Sequence, residues 1–219
     1  MLEPMGADTA WTAASGLVLV LFLLLHLAGV ALAPLDPATF AAYAAGLHGA
    51  VWLPVAELAL LAVGLAHAGF SLGKRIANRR AGNRAQLVSR RGEPLAALAA
   101  RGQAAGGVVL LGFLAVHLRQ LRWPRPAAGG ELEALQAVLA RPASVVLYMA
   151  AALALALHLF HGGEAAHRSL GLLTPANGRS IRAGVRLLAV LVGSGFVAVT
   201  LALSLPLELP LLPPAGGLS

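Results

Sequence analysis

Long apolar runs, separated by short polar or turn-forming segments, dominate the chain. Lipid offers the backbone no hydrogen-bond partner, so a spanning segment is a helix or part of a closed barrel, and a helix needs about 20 apolar residues to cross about 30 Å. Five runs reach that length: Ala13–Ala33, Val51–Leu72, Gln103–Leu121, Ser144–His161 and Gly184–Leu205. None alternates apolar and polar residues as a barrel strand does. Pro34-Leu35-Asp36-Pro37 breaks the chain after the first run, and Pro142 stands where a helix N-terminus accepts proline. The pattern predicts an all-α integral membrane protein, one domain over residues 1–219, with five transmembrane helices in a bundle.

Composition agrees. Apolar residues make up 58% of the 219 and charged residues 11%, with a mean hydropathy of +0.79. The net charge of +7 is carried by too few residues to form a nucleic-acid-binding stripe, so it reads as topology instead. The first basic residue is Lys74, and the second connection holds Lys74, Arg75, Arg79, Arg80, Arg84, Arg90, Arg91 and Arg101. Arg168, Arg179, Arg182 and Arg186 surround the fourth connection, whereas Arg119, Arg122, Arg125 and Arg141 in the third are diluted by Glu131 and Glu133. The positive-inside bias then predicts the N-terminus inside, the C-terminus outside, and a bacterial-type cytoplasmic membrane. Ala31-Leu32-Ala33 resembles a leader cleavage site, but no basic region precedes the run, which is read as a span. Ala41–Ala45 reads as compositional bias, and the Pro/Gly-rich stretch after Leu205 as an irregular surface segment.

The absence of cysteine excludes iron–sulfur ligation and covalent c-type haem within the chain, so any such centre belongs to a partner. No nucleophile triad, phosphate loop, HExxH or zinc spacing is present. Chemistry is carried by histidine. An imidazole in a span must find a partner, and a single one is most often an interhelical hydrogen bond. Here the distribution changes the reading, because His26, His67, His117 and His158 fall one on each of the first four spans. His26 lies about 12 Å and His117 about 9 Å from the outer exit at 1.5 Å per residue, while His67 and His158 lie about 10–15 Å from the inner face. The depths predict two pairs: His26 with His117 outside, His67 with His158 inside. Two imidazoles facing each other at one level meet the axial demand of a six-coordinate haem iron, so the bundle is expected to hold two stacked b haems. Gly29, Gly64, Gly112 and Ala154, near these histidines, leave room for a flat macrocycle.

The other polar positions are secondary. His161, one turn inward of His158, competes with it as inner ligand, but His158 sits deeper and matches His67 better. His167 and Arg168 lie near the inner surface, where they can meet haem propionates, a docked subunit or solvent. His48 reads as a capping or surface residue. Glu57 is the one carboxylate well inside a span; it marks either a proton path serving a quinone or an interhelical hydrogen bond. Glu164 reads as a salt bridge to the basic loops. Gly69-x-x-x-Gly73 and Gly102-x-x-x-Gly106 are small-residue spacings that imply no more than helix contact.

Four stretches stand out together: Phe22-Leu23-Leu24-Leu25-His26-Leu27 with the Tyr43 segment, Glu57 with His67, Phe113-Leu114-Ala115-Val116-His117-Leu118, and His158-Leu159-Phe160-His161-Gly162 leading to Ser169-Leu170-Gly171-Leu172. In them the chain resembles the cytochrome b558 membrane subunits of succinate dehydrogenase and fumarate reductase, the single-polypeptide, five-helix, dihaem anchors of complex II. The resemblance implies that the first histidine of the last motif, His158, is the ligand. It departs at Ala165-Ala166-His167-Arg168 and at Val30, where family members often carry a Ser-Ala-Phe-Gln-like run and an Asn. It further implies a flavoprotein and an iron–sulfur protein docked on the cytoplasmic face, a membrane quinone, menaquinone for the dihaem type, as electron partner, and assembly into a larger complex. The cytochrome b anchors of nitrate reductases or hydrogenases are the alternative electron-transfer reading, although they tend to place two ligands on one helix. A non-haem transporter or scaffold using the histidines as a proton relay is the alternative from another class.

Overall fold

The computed structural model describes residues 7–82, 92–123, 125–127 and 129–205. Among them the chain is all-helical: α1 (Ala7–Leu35), α2 (Pro37–Gly49), α3 (Leu53–Arg80), α4 (Pro94–Leu121), α5 (Glu131–Leu139), α6 (Pro142–Ser169) and α7 (Gly178–Ser204). Five of these, α1, α3, α4, α6 and α7, are long and apolar enough to cross a membrane. They correspond to the five predicted runs, each extended at one end or both. α3 continues through Lys74, Arg75, Arg79 and Arg80, so the basic residues that mark the end of the apolar run stay helical and project beyond it. Arg84, Arg90, Arg91 and the stretch after residue 205 lie outside the described residues.

Proline and glycine place the helix ends. α2, α3, α4 and α6 each carry a proline at their first or second position, where its missing N–H costs no helical bond. α6 stops at Gly171, whose φ of 69° closes a Schellman turn: Gly171 N–H donates to the Arg168 carbonyl at 3.1 Å and Leu172 N–H to that of His167 at 2.9 Å. α1 runs one residue past Pro34 before Asp36 ends it.

α2 and α5 are absent from the sequence expectation. Ala41–Ala45, taken as compositional bias, forms the middle of α2. Asp36 caps this helix by accepting from Thr39 N–H at 3.1 Å and Thr39 Oγ1–H at 2.6 Å, bonds that hold its carboxyl below the usual carboxylate range. His48 lies in the last turn of α2, and its Nδ1 lies 2.9 Å from Oε1 of the buried Glu131 on α5. That contact ties the two short helices together at the end of the bundle opposite Lys74, Arg75, Arg79 and Arg80.

α6 is the centre of the packing. It lies against α7, α4 and α1, and α1 in turn packs on α3 and α7. The α6/α7 seam is built on small residues: a Cβ at Gly193 would stand 2.7 Å from the Ala156 Cβ, and one at Gly163 would stand 2.5 Å from Val185 Cγ1. Leu155, Leu159, Ala189 and Val192 fill the same seam. By contrast Gly69, Gly73 and Gly102, of the two small-residue spacings, have nothing within 4 Å of a Cβ position, and Gly106 makes only an ordinary contact with the Ala154 carbonyl at 3.7 Å. The four histidine-bearing helices thus form a square in the order α3, α1, α6, α4, and the side between α3 and α4 has little direct contact.

Candidate functional site: two histidine pairs

The pairs lie on the diagonals of that square. His26 on α1 faces His117 on α4 with ring centres 6.0 Å apart, and His67 on α3 faces His158 on α6 at 6.3 Å. Metal–imidazole bonds are about 2.0–2.1 Å and a ring centre lies about 1.1 Å behind its nitrogen, so two imidazoles gripping one metal from opposite sides have centres about 6.3 Å apart. Both pairs fit that separation. Their planes are steeply inclined, at 80° and 70°. Among the described residues, His, Cys, Asp and Glu nowhere gather in groups of three or more that could hold a metal ion. A metal held by either pair therefore takes its remaining donors from a bound group.

Hydrogen bonds decide which nitrogen is available. His67 Nδ1 lies 3.1 Å from the main-chain carbonyl of Thr12. A carbonyl only accepts, so Nδ1 carries the hydrogen and Nε2 keeps its lone pair. Ser15 Oγ stands 3.2 Å from the same Nδ1. His117 Nδ1 lies 3.1 Å from the Tyr148 hydroxyl. At the His158 ring, Nε2 is 3.4 Å from Gln103 Nε2, while His158 Nδ1 and Gln103 Oε1 are buried with no hydrogen-bond partner among the described residues. Buried polar atoms are seldom left so, and these two mark the His67–His158 pair as a place with bonding capacity still unspent.

Aromatic rings back the other pair. Phe22 stacks on His26 at 5.4 Å and 13°, and Phe113 on His117 at 5.3 Å and 28°. Each phenylalanine precedes its histidine by one helical turn, so the repeated Phe-x-x-x-His spacing was a readable signal of this shared construction. Phe196 of α7 adds a third ring, 6.0 Å from His26.

The remaining expected site residues are distributed as follows. Glu57 lies near the N-terminal end of α3 and is not alone: Arg122 pairs with it closely and Arg125 stands 3.8 Å away. His161 is half-buried on α6, outside both ring pairs. His167 Nδ1 donates to the Gly163 carbonyl of its own helix at 2.8 Å. Arg168 reaches Glu164 at 2.7 Å, and Arg182 approaches the same carboxylate at 4.0 Å, the salt bridges expected of Glu164. Gly29 does not border an open cradle, since a Cβ there would stand 2.7 Å from the Tyr43 ring; Gly64 and Gly112 have nothing within 4 Å. Sequence reasoning missed Thr12, Ser15, Gln103, Gln120 and Tyr148, polar residues whose partners stand on other helices.

No protein-family model, no curated protein and no solved structure matches the chain. The functional reading therefore stands on the site itself.

Proposed function

We propose that the chain is the cytochrome b membrane anchor of a succinate:quinone oxidoreductase, holding two b haems and linking an iron–sulfur subunit to a membrane quinone. The observation that carries this reading is the pairing of four histidines from four helices into two facing sets at separations of 6.0 and 6.3 Å. His26 and His117 hold the outer haem, His67 and His158 the inner one. When bound, each haem supplies one-electron exchange at iron.

The chain's own residues orient and insulate that chemistry. Thr12 fixes the His67 tautomer so that Nε2 is the nitrogen that would hold the iron, and its basicity rises with the bond that Nδ1–H donates. Phe22, Phe113 and Phe196 keep the outer imidazoles dry and limit their rotation. Gly16 of α1 leaves space for the edge of His67, whose Cε1 would lie 3.2 Å from a Cβ at that position. At the outer end Glu57, between Arg122 and Arg125, is placed to exchange protons with the oxygens of a quinone, most simply menaquinone.

The opposite end suits docking. Lys74, Arg75, Arg79, Arg80, Arg101, Arg168 and Arg179 are exposed there on the ends of α3, α4, α6 and α7. This basic surface receives the iron–sulfur subunit and, through it, the flavoprotein that performs the dicarboxylate chemistry. Purification of the full chain from its native membrane, with peptide identification of attached subunits and an assay of succinate-dependent quinone reduction, tests the assignment. A flavoprotein and an iron–sulfur protein in the complex are expected; dihaem chain attached to nitrate reductase or hydrogenase subunits would assign it to another respiratory complex.

A further inference from the structure

We infer that Tyr148 is a positioning residue that sets the electronic character of His117 and so separates the two haems in potential. The inference rests on the dihaem reading above. Four side chains on two facing helices carry it: His117 and Gln120 of α4, one turn apart, and Ser144 and Tyr148 of α6, also one turn apart. The Tyr148 hydroxyl donates to Gln120 Oε1 at 3.2 Å, and Gln120 Nε2 donates to Ser144 Oγ, also at 3.2 Å. Ser144 is buried, so the chain of bonds ends inside the protein.

A phenol has one hydrogen. Because Tyr148 spends it on Gln120, its oxygen can only accept from His117, whose Nδ1 lies 3.1 Å away. The hydrogen of His117 is thereby fixed on Nδ1, and Nε2 is left as the donor to iron. Each bond in such a chain polarises the next, so the hydroxyl that gives to Gln120 accepts more strongly from His117. Phe113 packs edge-on against the Tyr148 ring at 4.9 Å and 88°, which holds the hydroxyl in place.

The inner ligand His67 is built differently. Its Nδ1–H donates to the main-chain carbonyl of Thr12, a partner that belongs to the backbone of α1. His117 thus has a side chain as its Nδ1 partner, whereas His67 has a main-chain carbonyl, with Ser15 Oγ a further contact at 3.2 Å on the same nitrogen. Withdrawing the Tyr148 acceptor makes His117 a poorer electron donor, which favours reduced iron at the outer centre alone.

Redox titration of the haem absorbance in the purified full chain, in wild type and in Tyr148→Phe, reads this directly, with the outer component identified by its loss in His26→Ala. Tyr148→Phe is expected to raise the outer midpoint by a threefold to tenfold change in the reduced-to-oxidised ratio, up to about 59 mV for one electron, and to leave the inner midpoint in place. Gln120→Leu, which keeps the phenol but removes its acceptor, is expected to shift the outer midpoint in the same direction by less. It decides the matter if Tyr148→Phe fails to retain the outer haem. Two haems with both midpoints unmoved in a variant that retains them would overturn the role of Tyr148 and leave the haem assignment intact. Wild-type chain without haem would overturn both.

Discussion

His26 and His117 stand ring to ring, 6.0 Å between centres and 80° between planes, on helices that are diagonal neighbours and share little direct contact. The same relationship recurs for His67 and His158 at 6.3 Å and 70°. If each pair holds a haem iron, imidazole planes crossed this steeply would leave two iron d orbitals nearly equal in energy. Electron paramagnetic resonance of the oxidised protein should therefore show strongly anisotropic low-spin signals from both centres. Ordinary rhombic signals would mean that the imidazole planes lie parallel.

The two pairs share no ligand, so their loss should be separable. His26→Ala is expected to remove the outer centre and His67→Ala the inner, each leaving one haem of two, while His161→Ala keeps both, since His161 belongs to neither ring pair. Haem-to-protein ratios measured on folded, monodisperse variants check this. Loss of both haems from either alanine variant would contradict independent sites.

Gly16 offers a steric test from α1, a helix that carries neither His67 nor His158. A Cβ there would stand 3.2 Å from His67 Cε1 and 3.6 Å from Nδ1, so Gly16→Val must push the imidazole off its Thr12 and Ser15 partners. Reduced inner-haem occupancy with the outer haem retained is expected. Gly69→Ala, at a position with nothing within 4 Å, should leave both haems as they are.

Glu57 separates a proton-exchange group from a rivet. As a general acid–base group it would contribute about 10²–10⁴-fold, so Glu57→Gln should cost at least about 10²-fold in quinone-coupled turnover with both haem spectra unchanged. Unchanged turnover in that variant would make the pair with Arg122 a purely structural tie between α3 and α4.

Much of the architecture was legible because lipid makes the backbone's demands simple: run length located the five span-length helices, and histidine position along each run indicated which rings share a level. The short helices were not legible, since α2 consists largely of alanine and glycine and α5 is only nine residues long. Polar partners were hidden for a different reason. Glu57 read as a lone carboxylate because Arg122 and Arg125 are distant in sequence and were counted as loop charges, and only the fold brings them to it. Tyr148 and Gln103 are isolated polar residues whose spacing to their histidines exists in space and not along the chain. The small-residue spacings misled in the opposite direction, as the tight seams run through Gly163, Gly193 and Gly195 instead.

Reduced-minus-oxidised difference spectroscopy of the purified wild-type chain, combined with haem and protein quantification, asks whether these imidazoles hold two irons. Two low-spin b haems per chain are predicted. A folded chain with no haem absorbance would contradict the account and return the histidines to a role in hydrogen bonding or proton relay.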